Sequence, residues 1–469
     1  MDLERLITAL GPVEVRGGAP TDIADLAYDT RQVGPGALFF CVPGERADGH
    51  DLAGEAVERG AAALVVERPL ELGVPQVIVP SSRAAMPVAA DEFFERPTEE
   101  LVLGGVTGTN GKTTTTFLLH AIFEAAGMRP GLIGTIESRV GGESRPAVRT
   151  TPEAIDLQRT FRAMLEAGDR SCAMEATSHG SELGRLERVR FTALAFTNLS
   201  QDHLDFHETM ERYYEAKRRL FTEHEPAPAA AVNVTNTWGR RLAEELRQLD
   251  RAPLLTYGTV PEAELNTHPA LERSRLAGGF NVENVLAAAA VARLLGLPDA
   301  PVVEGVARLP GVPGRFEAVD EGQPFTVIVD YSHKPGALEA VLRTARNITG
   351  GRLICVFGAG GDRDRGKRPM MGRVASELAD VAIVTSDNPR SEDPRAIIDQ
   401  ILTGVVGPVE VEPDRRAAIE LAVEQAGDGD VVVIAGKGDE QGQEFADRKI
   451  PFDDREVARE ALRRLGAPA

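Results

Sequence analysis

The stretch LVLGGVTGTNGKTTTTFLLHAIFEAAG, Leu101 to Gly127, decides the fold. Its opening, Leu101 to Gly108, is an apolar run of strand length that passes directly into Gly108-Thr109-Asn110-Gly111-Lys112-Thr113-Thr114, and helical spacing of apolar residues follows. A strand, a glycine turn and a helix in that order make the setting in which a loop wraps phosphates. Backbone N–H groups and the helix N-terminus face the anion, Lys112 adds a point charge, and the Thr113 hydroxyl reaches Mg²⁺. The usual spacing G-x-x-x-x-G-K-T would place its first glycine at position 106, which is Val106, so the bland alternative is a strand-turn-helix junction with a chance GKT. The context favours a nucleoside triphosphate.

Outward from this loop, short apolar strands alternate with helix-length stretches along most of the 469 residues, the pattern of an α/β protein with mostly parallel, doubly wound sheets. That length exceeds one hydrophobic core and predicts three domains, at 1–98, 99–313 and 314–469. The first carries ALFFCV, AALVV and VPQVIV; the third carries FTVIVDY, RLICVFG, DVAIVTS and DVVVIAG. A second glycine-rich string, FGAGGDRDRG from Phe357, has Arg363 where a dinucleotide fingerprint needs glycine, so a nicotinamide cofactor is not expected.

A net charge of −20 argues against nucleic acid as the main partner and requires any phosphate site to be local. No apolar run is long enough for a membrane helix, and MDLERLITAL lacks the features of a signal peptide, so a cytoplasmic protein without membrane insertion is expected. Cys41, Cys172 and Cys355 lie far apart in apolar runs and read as buried reduced thiols.

Chemistry on a triphosphate needs Mg²⁺ on hard oxygen ligands. Glu175 ends the apolar run in SCAMEATSHG, and the next strand, ALAFTNLS, leads into Gln201-Asp202-His203-Leu204-Asp205, which gathers an imidazole and carboxylates at one rim. Lys217, in MERYYEAKRRLF, reads by itself as a surface cation of an amphipathic helix.

These residues, together with DTRQVGPGALFF, PGERADGH, RTTPE, FTNLSQDHLDFH, GRFE, VDYSHKPGAL, SDNPR and GKGDEQG, resemble the Mur ligase family over nearly the whole chain. The family's own loop has the shorter GTNGKT form. The resemblance implies a central P-loop doubly wound sheet, a C-terminal Rossmann-like parallel sheet, and an ATP-dependent amide-bond ligase of peptidoglycan biosynthesis acting as a monomer. It implies that Lys217 is carbamylated, an N6-carboxylysine, and holds Mg²⁺ with His203, while Thr113 and Glu175 serve another Mg²⁺. The bland alternative for Lys217 is a plain cation on phosphate. Asn284 would contact the nucleotide, Arg315 the phosphates from across a domain junction, and Asp330 and His333 the ribose or adenine side. Thr30 and the turn Glu45-Arg46-Ala47 would hold uridine, and Thr150, Thr151, Ser178 and Arg185 the diphosphate, sugar and peptide of UDP-MurNAc-L-Ala-D-Glu. Arg149 and Asp439 depart from some relatives, which carry an amide and a histidine there.

The string Asp387-Asn388-Pro389-Arg390 resembles the type that adds meso-diaminopimelate rather than lysine. Arg390, helped by Arg363, would pair the far carboxylate that lysine lacks, and Asp387 with Glu440, beside Gly436, would hold the far ammonium. In the alternative, Arg390 merely pairs with Glu392 or Asp393 at a helix start.

Overall fold

The computed structural model describes residues 1–18, 22–44 and 47–466. Among them, each of three large sheets is built from one consecutive part of the chain. The first has five strands in the order Glu14–Arg16, Gln76–Ile78, Ala61–Val66, Ala37–Phe40, Asp25–Ala27, parallel except for Glu14–Arg16. The second has eight, in the order Leu254–Tyr257, Ala229–Asn233, Ala193–Phe196, Val102–Thr107, Ser171–Glu175, Pro130–Ile133, Glu137–Val140, Glu143–Pro146. Its last two strands form an antiparallel hairpin that the apolar pattern does not announce, because they carry Glu, Ser and Arg and are incompletely buried. The third has six, and its antiparallel edge strand Glu317–Val319 precedes Thr326–Asp330, the first strand expected from sequence.

In the second sheet Val102–Thr107 lies between Ser171–Glu175 and Ala193–Phe196, and chain connections leave it in both directions, so a crevice opens beyond the C-terminal ends of these strands. Gly105 permits the crowding beneath: a Cβ there would come within 2.6 Å of Leu194 and the Phe191 ring. Parallel register sets Glu175 opposite Val106 and Phe196 opposite Thr107, which delivers three loops to one rim. The helix Lys112–Ala125 starts directly from the glycine loop and packs against the helices Gly279–Leu294 and Asp299–Arg308. All three cysteines are buried and unpaired. No helix among the described residues is long and apolar enough to cross a membrane.

The third sheet rests on a fully buried ion pair. Arg415 Nε and Nη2 each lie 2.7 Å from an Asp454 oxygen, and the same guanidinium donates to the carbonyls of Ser386 (3.3 Å) and Ala435 (3.1 Å). It thereby ties the ends of two strands, Val381–Val384 and Val431–Ala435, to the last helix, Asp454–Gly466. Removing one partner strands a charge in the interior, so Asp454→Asn should destabilise the third domain by about 3–5 kcal/mol. Breaking the exposed Arg416–Glu460 pair should leave the urea midpoint unchanged. Chemical denaturation of both variants checks this.

Candidate active site

The loop from Gly108 to Lys112 is pressed onto the end of the neighbouring strand. Thr109 N–H donates to the Asn198 carbonyl (2.8 Å), Asn110 N–H to Asn198 Oδ1 (2.9 Å), and Thr197 Oγ1 to the Asn110 carbonyl (2.6 Å). Glycine is required twice: Gly108 has φ +147° against Thr197, and Gly111 has φ +83° against Asn284 Oδ1.

A cavity of about 710 Å³ lies in front of this loop, and the second and third domains share its walls. Of the residues singled out from sequence, Thr109, Asn110, Gly111, Lys112, Thr113 and Thr114 line it. So do Glu175, His203, Lys217 and Asn284 from the second domain, and Arg315, Asp330, His333 and Arg363 from the third. Thr150, Thr151, Ser178 and Arg185 complete the wall toward the first domain. Gly108 does not line the cavity; its carbonyl faces the lysines.

Glu175 is buried at its strand end, where Oε1 accepts from Thr135 N–H (2.8 Å) and Oε2 from the Thr135 hydroxyl (3.1 Å). His203 has φ +53°, and its Nε2 lies 2.8 Å from Asp202 Oδ2. Lys217 corrects the surface reading. The helix Met210–Thr222 turns Tyr213, Lys217 and Leu220 inward, and Lys217 Nζ donates to the Gly108 carbonyl at 2.9 Å. The spacing 213, 217, 220 was the available signal, but a charged side chain masks an otherwise apolar stripe. Burial, then the nearby Lys112 and Lys334, hold the Lys217 ammonium well below its ordinary range. Burial and the same neighbour Lys334 bring Lys112 down to about 8.

Arg315 reaches back across the junction: Nη2 is 3.2 Å from Thr113 Oγ1, and the guanidinium lies 4.2 Å from the Tyr331 ring centre. A tight turn presents it. Phe316 has φ +49° and donates its N–H to Asp330 Oδ2 (2.7 Å), while Gly314 packs on the backbone of Gly438 and Asp439. Asp330 is thus occupied by its own chain, with Oδ1 accepting from Ser332, and it shapes the wall more than it offers a free carboxylate. His333 Nδ1 lies 2.8 Å from the Tyr331 carbonyl. Sequence reading passed over Lys334, which lines the same cavity, and over the apolar end formed by Phe280, Ala337, Ala340 and Val341.

The remaining residues lie elsewhere. Thr30 and Ala47 follow parallel strands of the first sheet at its C-terminal rim and do not line this cavity; Glu45 and Arg46 fall outside the described residues. Asp387, Asn388, Pro389, Arg390, Gly436 and Glu440 do not line this cavity but form a group beside it at the third sheet's C-terminal rim. Arg390 and Arg363 both flank Gly360. Arg390 donates to the Gly361 carbonyl (2.7 Å) and to Glu444 (3.2 Å); Glu392, its expected simple partner, is taken by Arg368 at 2.9 Å. Glu440 is not free beside Asp387: Lys437 Nζ (2.9 Å) and Asn388 Nδ2 (2.7 Å) hold it. Asp387 Oδ2 is buried without a hydrogen-bond partner and faces Gly436. Asp439 sits 3.8 Å from Arg315.

A phosphate loop opposed by an arginine from another domain, across a shared cavity, defines a multidomain nucleotide-dependent enzyme. Residues 22–97 match the Mur ligase family catalytic domain, 106–292 the Mur ligase middle domain, and 314–438 the Mur ligase glutamate ligase domain. The UDP-N-acetylmuramoyl-L-alanyl-D-glutamate–2,6-diaminopimelate ligase of Geobacillus thermodenitrificans is 45% identical, with 99% of each chain covered. Its namesake from Streptomyces coelicolor is 43% identical, covering 98% of this chain and 96% of that one. A solved structure of a ligase with the same name is 31% identical over 98% of this chain and 99% of its own, with a TM-score of 0.66. The folylpolyglutamate synthase of Mycobacterium tuberculosis, at 18% identity and a TM-score of 0.61, shares the fold. The chain belongs to the Mur ligase family. It is an ATP-dependent ligase that forms amide bonds.

An alanine at position 111 would meet both the positive φ and Asn284. Gly111→Ala should weaken ATP binding about tenfold or more, since ~1.4 kcal/mol of strain suffices for that factor. Asn284→Ala alone should weaken binding less, since it leaves the loop backbone unstrained. Calorimetric titration with a non-hydrolysable ATP analogue reads both.

Proposed function

We propose that this protein joins meso-2,6-diaminopimelate to the D-glutamate γ-carboxylate of UDP-MurNAc-L-Ala-D-Glu, converting ATP to ADP and phosphate. The carrying observation is the shared cavity, which sets the phosphate loop beside Thr150, Thr151, Ser178 and Arg185 on one wall and beside Arg315 and Arg363 on the other. With domains at 1–98, 99–313 and 314–469, the first would hold the uridine through Thr30, Glu45, Arg46 and Ala47, the second ATP through the loop, and the third the incoming amino acid through the Arg390 group.

Gly108 to Thr114 would cradle the phosphates, with Lys112 and Arg315 neutralising charge. Phe280, Ala337 and Val341 would take the adenine, next to Asn284 and His333. Mg²⁺ fits the donor set. Among the described residues no three His, Cys, Asp or Glu side chains converge into a protein-only cage, and the hydroxyl of Thr113, the hydrogen-bonded carboxylate of Glu175 and the imidazole of His203 suit a cation that takes further oxygens from phosphates. Bound there, Mg²⁺ would supply electrostatic stabilisation of charge on the phosphoryl group. Lys217 is buried with a backbone carbonyl as its hydrogen-bond partner and, among the described residues, no carboxylate within ion-pair reach, which suits conversion to a carbamate better than service as an ammonium.

The chemistry proceeds in two steps. A γ-carboxylate oxygen attacks the γ-phosphorus and ADP departs; the amine of diaminopimelate then attacks the acyl phosphate carbonyl, phosphate leaves, and the nitrogen loses its proton. Closure of the third domain on the second excludes water that would hydrolyse the acyl phosphate. Arg390, unclaimed by Glu392, is supported as the partner of the far carboxylate, with the free Oδ2 of Asp387 near the far ammonium. Lys437 and Asn388 already hydrogen-bond Glu440, whereas Asp387 Oδ2 accepts no hydrogen bond, so Asp387 is the stronger candidate of the two.

Phosphate release in the presence of UDP-MurNAc-L-Ala-D-Glu and ATP, with a panel of amino acids, tests this reading. Diaminopimelate should exceed lysine by about a hundredfold or more in kcat/KM, and a preference for lysine would refute it. The carbamate is checked separately by ¹³C NMR after equilibration with labelled bicarbonate: a carbamate resonance should appear and be lost in Lys217→Ala.

A further inference from the structure

Two consecutive carbonyls of the phosphate loop receive three lysines. Lys112 Nζ donates to Gly108 and Thr109, each at 3.0 Å; Lys217 donates to Gly108 at 2.9 Å; Lys334 approaches Thr109 at 3.4 Å. Lys334 comes from the third domain. It directly precedes Pro335, which opens the helix Pro335–Ile348, and the proline holds it extended (φ −132°, ψ 149°), so the side chain projects toward the loop instead of along the helix. Its ammonium is buried, lines the common cavity, and lies 2.6 Å from Asp202 Oδ2, the oxygen that also lies 2.8 Å from His203.

A structural latch between domains needs one cation and one anion. Lys112, Lys334 and Arg315 all border the loop's cavity; among the described residues Lys112 has no carboxylate within ion-pair reach, Arg315 meets Asp439 only at 3.8 Å, Glu175 is taken up by Thr135, and Asp202 pairs with Lys334. In a protein of net charge −20, such a local surplus points to a polyanion that completes it. We propose that Lys334 is a catalytic cation for phosphoryl transfer, carried into the phosphate loop by the third domain and held by Asp202 until the γ-phosphate of ATP becomes its partner. This rests on the reading of the cavity as the phosphoryl-transfer site.

The position selects the γ-phosphate. Lys334 shares the Thr109 carbonyl with Lys112, the lysine of the phosphate loop, and pairs with Asp202, whose Oδ2 also meets the candidate Mg²⁺ ligand His203. During transfer the acceptor carboxylate oxygen forms a bond to Pγ while the bond from Pγ to the bridging oxygen breaks, and that electron pair leaves with ADP. Lys334 gives up no proton; it donates hydrogen bonds to the non-bridging oxygens, as a cation supplied from another domain does in other phosphoryl transfers. Docking of the third domain and readiness of the phosphate site thereby become one event.

The test compares wild type, Lys334→Gln and Lys334→Arg in the full-length protein. It reads affinity for AMP-PNP and for ADP, and the single-turnover rate of ADP formation with UDP-MurNAc-L-Ala-D-Glu. Glutamine should weaken AMP-PNP about tenfold or more, ADP less than about threefold, and slow ADP formation about a hundredfold; arginine should recover part of the rate. Equal losses for AMP-PNP and ADP, or an unchanged rate, would overturn the proposal and leave Lys334 a latch. If glutamine disturbs folding, Lys334→Met, close in volume, carries the same comparison. A wild-type protein that forms no ADP overturns the proposed function, and this proposal with it.

Discussion

The site depends on how little room the phosphate loop has. Gly108 and Gly111 lie so close to Thr197 and Asn284 that no side chain fits, and Thr197 and Asn198 take up the loop's own polar groups. The N–H groups that remain are therefore held in one arrangement before any ligand arrives. The crowding comes from the parallel pairing of Val102–Thr107 with Ala193–Phe196, which ends both strands at the same height. The same sheet brings Glu175 to that level from the other side, so one hydrogen-bonded register places the loop, a carboxylate and the Asp202–His203 turn together.

Electrostatics then links the domains. Buried lysines repel one another around Gly108 and Thr109, and Glu175 and then Asp202 offset this at Lys112, Asp202 also touching Lys334 of the third domain. Arg315 bridges the same junction to Thr113. These contacts hold charges in a place screened from water, where each counts for far more than on the surface. A phosphate chain entering there meets cations already fixed, and little reorganisation remains for the reaction itself. The third domain can afford such placement because its own strand ends are pinned by the buried Arg415–Asp454 pair.

The sequence alone established the α/β class, the apolar strands that carry the phosphate loop, Glu175 and His203, and the family. These follow from local pattern: apolar runs of strand length, glycine where φ is positive, and motifs whose residues are adjacent along the chain. Glu175 and His203 were legible for that reason, since each follows an apolar strand. Lys217 was only half legible, because its burial depends on which helix face meets the sheet, and charge conceals that face. The hairpin Glu137–Pro146 was not legible at all, being polar on both sides.

Tertiary structure decided which residues share a cavity. It set the Arg390 group beside the phosphate cavity, next to Arg363, held Glu440 with Lys437, committed Asp330 to the Phe316 backbone, and brought Lys334 against Asp202 across 132 positions of sequence. Local pattern carries no information about such meetings. They arise when separate sheets dock and charges seek partners away from water, and a residue's role there depends on what faces it in space.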